Sequence, residues 1–85
     1  MKELEIKNAI EKRVKSTKSK KYSIWTIGIT DDPDRRKAEH KNPTYWMQWR
    51  ADTDTMARNV EKYFKDKGMK GDVGGGKTPN YVYIF

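Results

Sequence analysis

Arg36 and His40 stand four residues apart in the run Gly28-Ile29-Thr30-Asp31-Asp32-Pro33-Asp34-Arg35-Arg36-Lys37-Ala38-Glu39-His40. On a helix that spacing turns both side chains the same way, with Glu39 beside them. A guanidinium aimed past a strand-end glycine suits a phosphodiester, which it can grip with two parallel hydrogen bonds. Further along, Glu61 falls in the middle of a second helical stretch, a place for a carboxylate that holds a hard divalent cation. Each residue also has an ordinary use. Arg36 alone is a solvated helix arginine, and His40 alone favours the negative end of a helix dipole. Glu61 alone pairs with Arg58 or Lys65 on its own helix.

The elements that must position these groups read directly from the pattern. Asp31 or Asp32 can cap a helix, Pro33 fits its first turn, and Asp34 favours the positive end of the dipole. This helix offers Ala38 as its single apolar anchor, so neighbours hold it or it exists to present polar side chains; residues 41–43, Lys-Asn-Pro, end it. Before it, residues 22–30 (YSIWTIGIT) predict a strand with Trp25, Ile27 and Ile29 on one face. Tyr22, Ile24, Thr26 and Gly28 take the other.

Residues 44–51 predict a second strand, Tyr45, Met47 and Trp49 alternating with Trp46, Gln48 and Arg50. A cap at Asp52, Thr53 or Asp54 then opens a helix to about Lys67. Its buried stripe is Ala57, Val60 and Phe64, widened by Met56 and Tyr63, and Gly68 stops it. At the start, residues 3–15 predict a helix with Ile6, Ala9, Ile10 and Val14 on one stripe, followed by a basic linker at 16–21. Residues 68–80 form a glycine-rich connection and 81–85 (YVYIF) a closing strand. The expectation is one α+β domain over 1–85, in the order α-β-α-β-α-β, with helices packed on a three-stranded sheet.

Composition narrows the partners. Nineteen Lys and Arg against twelve Asp and Glu leave +7 on 85 residues, which favours polyanions and nucleic acid first. With no cysteine, disulfides, thiolate metal sites and a cysteine nucleophile are excluded; with one histidine, so are multi-histidine zinc sites. No apolar run approaches the roughly 20 residues of a membrane span. The opening residues, MKELEIKNAIEK, are too charged for a secretory signal. A cytoplasmic protein without a membrane partner is expected. Trp25, Trp46 and Trp49 are expected mainly in the core, although an exposed one could stack on a base. Lys18, Lys20 and Lys21 can follow a phosphate backbone through charge alone.

Residues 71–78, GDVGGGKT, match the Walker A nucleotide-binding pattern letter for letter. That pattern needs a strand before the loop and a helix after it. Here a helix precedes, and Pro79-Asn80-Tyr81-Val82 begins a strand, so a nucleotide site is rejected. Two uses remain for the segment: a simple connection, or glycines at 74–76 that let amides and Lys77 approach a nucleic-acid phosphate.

The run 28–40 resembles the GIY-YIG nuclease superfamily. Thr26-Ile27-Gly28 stands where that family has its YIG triplet, Arg36 at its catalytic arginine and His40 at its histidine. Met47–Lys65 looks like its third strand and metal-binding helix, which makes Glu61 the metal-ligand glutamate. The resemblance spans about residues 22–67. It implies an endonuclease-like domain in which one Mg²⁺ or Mn²⁺ on Glu61 polarises the scissile phosphate and Arg36 stabilises its charge. Thr26, Gly28, Arg35 and Lys77 would then contact nucleic acid, DNA ahead of RNA. Two features depart from the family: Thr26 replaces the YIG tyrosine, and residues 10–20 hold no counterpart of the GIY strand. If the closing strand takes that strand's place, Tyr83 or Tyr81 could return a phenol to the site; Tyr22 and His40 are the other candidates for moving the water's proton. The alternative is a nucleic-acid-binding module that keeps the scaffold without the chemistry. In a domain this short, specificity falls to residues 70–80 or to a larger protein partner.

Overall fold

A computed structural model describes residues 1–72 and 78–85. Helix α1 spans Glu3–Lys15; a 3-10 turn at Tyr22–Ile24 leads to strand β1, Thr26–Thr30. Helix α2 spans Pro33–Glu39, strand β2 Met47–Arg50 and helix α3 Asp54–Asp66. Two strands complete the chain, β3 at Lys70–Gly71 and β4 at Tyr81–Ile84. The fold is α+β as expected, but the sheet has four strands, ordered β2-β4-β1-β3. β4 lies between β2 and β1, antiparallel to both, and β3 runs parallel to β1 at the edge. Two residues cannot show a period of two, which is why β3 is invisible in the hydrophobic pattern.

The sheet's alternation divides the molecule into two faces. Ile27, Ile29, Val82 and Ile84 point to the face covered by α1 and α3, where they meet Ile6, Ile10, Val14, Ala57, Val60 and Phe64. Trp25 is buried with them, and Trp49 packs against the cluster. Burying an Ile, Val or Phe side chain is worth about 1.5–3 kcal/mol, so this layer carries the stability. Ile6, Ile10 and Val14 recur at four-residue steps, which keeps them on one side of α1. Gly28 and Tyr83, directly opposite each other across the β1–β4 pair, point to the other face.

Caps fix the helix that covers this second face. Thr30 Oγ1 accepts the Asp32 amide at 3.0 Å, and the Asp32 carboxylate accepts the Arg35 amide at 3.1 Å, with Pro33 in the first turn. After α2 the Lys41 and Asn42 amides return to the carbonyls of Ala38 and Lys37 at 2.9 and 2.8 Å. Both residues take positive φ, so the chain turns away sharply. No residue of α2 is fully buried, and Ala38 is exposed rather than an anchor. α3 starts where Thr53 Oγ1 accepts the Met56 amide at 3.2 Å, and ends before Gly68, whose φ of 117° a side chain would resist. Among the described residues, no helix is long and apolar enough to cross a membrane.

Candidate functional site

The second face gathers Arg36, His40 and Tyr83 around one carboxylate, Asp72. Arg36 Nη2 donates to Asp72 Oδ2 at 2.6 Å, and His40 Nε2 lies 2.7 Å from the same oxygen. The Tyr83 hydroxyl donates to it as well. Asp72, held ionised, can only accept, so a bond at 2.7 Å assigns the proton to His40 Nε2. Three donors from two elements thus converge on a single oxygen atom. The Arg36 and Asp72 side chains are only 15% and 14% exposed, so solvent screens the pair weakly.

Local structure explains the convergence. Arg36 on α2 and His40, its C-terminal cap one turn on, both face the sheet, where they substitute for the apolar anchor that the helix lacks. Lys70 and Asp72 donate their amides to the Trp25 and Ile27 carbonyls at 3.0 and 2.9 Å, which extends the parallel β1–β3 ladder and sets Asp72 beside Gly28. Gly28 is required here for space: a Cβ on it would fall within the Tyr83 phenol. The ring therefore lies flat over β1 and brings its hydroxyl to Asp72. On its other side Trp46 stacks against it, with centroids 4.4 Å apart and planes at 10°. The Phe85 ring lies 4.6 Å from His40 and 5.6 Å from Trp46, closing one flank.

This packing sets the electrostatics. Burial by itself would raise the Asp72 carboxyl, but hydrogen bonds from Tyr83, Arg36 and His40 hold it below the usual carboxylate range. Burial first, and the bond to Asp72 second, push the Tyr83 phenol above its ordinary value. The Arg36 guanidinium is held more firmly charged by Tyr83 and Asp72. Tyr83 is thus a neutral donor, a poor candidate for a base. Arg36, His40 and Tyr83 together present three hydrogen-bond donors, one of them a fixed positive charge, to one anionic oxygen.

The remaining sequence-predicted residues lie in different places. Glu61 sits on α3 beside the core stripe, half-buried, and burial raises its carboxyl; Lys65 and Arg58 pull it down, and the nearby charge of Asp72 pushes it up again. Among the described residues it makes no ion pair, since Arg58 turns to Asp54 at 3.8 Å. Also among the described residues, no three His, Asp or Glu side chains come together as a metal-ligand cluster. Asp72 is engaged by three donors, one of them a cation. Arg36, His40 and Tyr83 present donors to an anion, and among the described residues Glu61 is a single carboxylate rather than one of a cluster of three.

Tyr22 does not share the face of Thr26. The 3-10 turn at Tyr22–Ile24 breaks the alternation of the predicted strand, and the Tyr22 hydroxyl donates to Glu11 Oε2 at 2.6 Å, with its ring 6.2 Å from Phe64. Thr26 is at the start of β1, its backbone paired with Phe85. Arg35 is exposed and pairs with Asp31 and Glu39, away from the cluster. Tyr81 is opposite Thr30 and Arg50, one pleat removed from Tyr83. Lys77 and the glycines at 74–76 lie outside the described residues. The Walker-like segment is entered from strand β3 rather than directly from a helix, but it leads into another strand, β4, where the pattern requires a helix.

Sequence reasoning missed Asp72 and Trp46. Asp72 lies in a run whose glycines and lysine carry another motif's letters, which hides an acid among them. Trp46 counts with the core tryptophans by residue type, yet its alternation with Met47 and Trp49 already sets it on the opposite face from Trp49. Comparisons with protein-family models, with curated proteins and with solved structures each found no match, so the reading of this site rests on its own geometry.

Proposed function

We propose that this domain binds nucleic acid through a single backbone phosphate held by Arg36, His40 and Tyr83. The observation that carries the reading is the convergence of those three donors on one anionic oxygen, Asp72 Oδ2. A phosphodiester oxygen has the charge and acceptor geometry of that carboxylate oxygen, and a guanidinium binds either. Asp72 is then the resting occupant, which a phosphate displaces. The net charge of +7 supplies the long-range attraction that a single contact cannot. DNA is preferred to RNA on the resemblance to the GIY-YIG nucleases, and a larger partner protein would add specificity.

The test is oligonucleotide binding as a function of salt. Arg36→Gln and His40→Gln should weaken binding by roughly 10- to 100-fold for the arginine, the worth of a charge-assisted hydrogen bond, and by less for the histidine. Binding that ignores both substitutions would sink the reading.

A second reading, hydrolysis of that phosphodiester, rests on Glu61. Its half-buried carboxyl is near enough to Asp72 for their charges to interact. A divalent ion there would take one protein carboxylate and complete its shell with phosphate and water. Glu61→Gln separates the two readings. Cleavage in Mg²⁺ or Mn²⁺ that Glu61→Gln abolishes, with binding retained, makes the domain an endonuclease; binding without cleavage leaves a recognition module.

A further inference from the structure

Beside the Asp72 cluster, on the far side of Phe85, lies a cleft of about 380 Å³ lined by Arg13, Thr17, Ile24, Trp25, Tyr45 and Phe85. Its size is that of a small-ligand site, about 300–1,000 Å³. Three features distinguish it from a packing gap. Its rim is apolar yet exposed, with Tyr45 67% and Ile24 57% accessible. Arg13 is held at the rim between two rings, 5.3 Å from the Trp25 centroid and 5.8 Å from that of Tyr45. The chain from Thr17 to Ile24 starts and ends at the cleft, and Lys18, Lys20 and Lys21 between them are all exposed.

An aromatic and apolar slot bordered by cations is complementary to one ligand chemistry above others, a flat π-system carried on an anionic chain. Phe85 belongs to both places: it lines the cleft, and its ring is 4.6 Å from that of His40. One ring therefore separates the cleft from the oxyanion site. We infer that the cleft holds an unpaired nucleobase of the same strand whose phosphate is bound by Arg36, His40 and Tyr83. The inference rests on the phosphate reading and deepens it: the substrate class becomes single-stranded or locally unpaired nucleic acid. Tyr45 stacks on the base, Arg13 lies against its face or reaches the next phosphate, and Lys18, Lys20 and Lys21 follow the backbone. Base pairing in a duplex would hold the base in its stack and deny it to the cleft.

The experiment compares three fluorescent probes at fixed salt: a single-stranded oligothymidylate, a blunt duplex of equal length, and an abasic deoxyribose-phosphate chain. Each is titrated with the wild-type chain and with Tyr45→Ala, Tyr45→Phe and Arg36→Gln. Tyr45 is exposed, so its replacement leaves the core untouched, and circular dichroism checks that. The expected result is tightest binding of the single strand. Tyr45→Ala should weaken it by about 5- to 100-fold, the worth of one stacked base, Tyr45→Phe should restore it, and the abasic chain should not sense either change. If Tyr45→Ala binds the single strand as the wild type does while Arg36→Gln does not, the nucleobase inference is overturned and the phosphate reading stands, which leaves the cleft to another occupant. If Arg36→Gln alters none of the three, the phosphate reading fails and takes the inference with it.

Discussion

The two faces of this sheet are made by the same strands and do different work. On one, Ile27, Ile29, Val82 and Ile84 meet the apolar stripes of α1 and α3, and every contact is non-directional. On the other, one step along, Gly28 leaves room for the Tyr83 ring, and Tyr83, Arg36 and His40 meet Asp72 through directed, charged hydrogen bonds. Because side chains alternate, a strand can commit one face wholly to stability and leave the other to recognition. The difference teaches where to place a substitution: the first face should respond in stability, the second in binding.

The largest expected effect is on the core face. Phe64→Ala removes a fully buried ring from the apolar stripe of α3 and should cost about 3–5 kcal/mol, measured by urea unfolding. Against the roughly 5–15 kcal/mol typical of a whole domain, that removes a large share of the stability, and any loss of binding should be no more than the loss of fold.

Gly28→Ala is smaller and probes the boundary between the faces. The new methyl meets the Tyr83 ring, so either ring or strand must shift, at about 1–3 kcal/mol. Displacing the phenol should also weaken oligonucleotide binding beyond what the lost stability explains. A tolerated Gly28→Ala with wild-type affinity would mean that Tyr83 is not held where binding needs it.

Asp72→Asn cuts across the comparison most sharply, because stability and binding should move in opposite directions. Weakening the acceptor of three donors should cost roughly 1–3 kcal/mol, while the vacated charge admits a phosphate.

The smallest effects are in pH dependence, and they have opposite signs. The Asp72 carboxyl lies below its ordinary value in the fold, so its contribution is present above about pH 4 and is lost as pH falls through the depressed value. The Glu61 carboxyl is raised, so its stability is fully present at low pH and lost as pH rises through the raised value. Glu61→Gln should therefore be slightly more stable than wild type at neutral pH and equal to it near about pH 3, as thermal unfolding at the two pH values would show. Equal melting at both would place Glu61 in a fully solvated setting.

Much of this architecture is legible in the sequence, and what is not has physical causes. Periodicity locates the long helices of the core face, since Ile6, Ile10 and Val14 or Ala57, Val60 and Phe64 repeat where a helix must repeat. Arg36, His40 and Tyr83 are legible as candidates, and the structure brings these three together. Tyr22 falls elsewhere because a 3-10 turn interrupts the period of β1, a change of one step that moves a side chain to the other face. Strand β3 and Asp72 are not legible at all. A two-residue strand has no period, and an acid that acts by accepting from partners 32 and 36 residues away leaves no local trace.

The central claim is that the second face is an oxyanion site whose resting occupant is Asp72. Its most direct test is a titration of inorganic phosphate, and then of a short single-stranded oligonucleotide, into wild type, Asp72→Asn and Asp66→Asn, tracked by the amide shift of Gly28. Asp66→Asn makes the same charge change at an exposed position on the last residue of α3. The account predicts saturable shifts at Gly28 with affinity at least about tenfold tighter in Asp72→Asn than in either other chain, a difference of about 1.4 kcal/mol. Equal affinity in the two variants, or weaker binding in Asp72→Asn, would contradict it and make Asp72 a structural tie for α2.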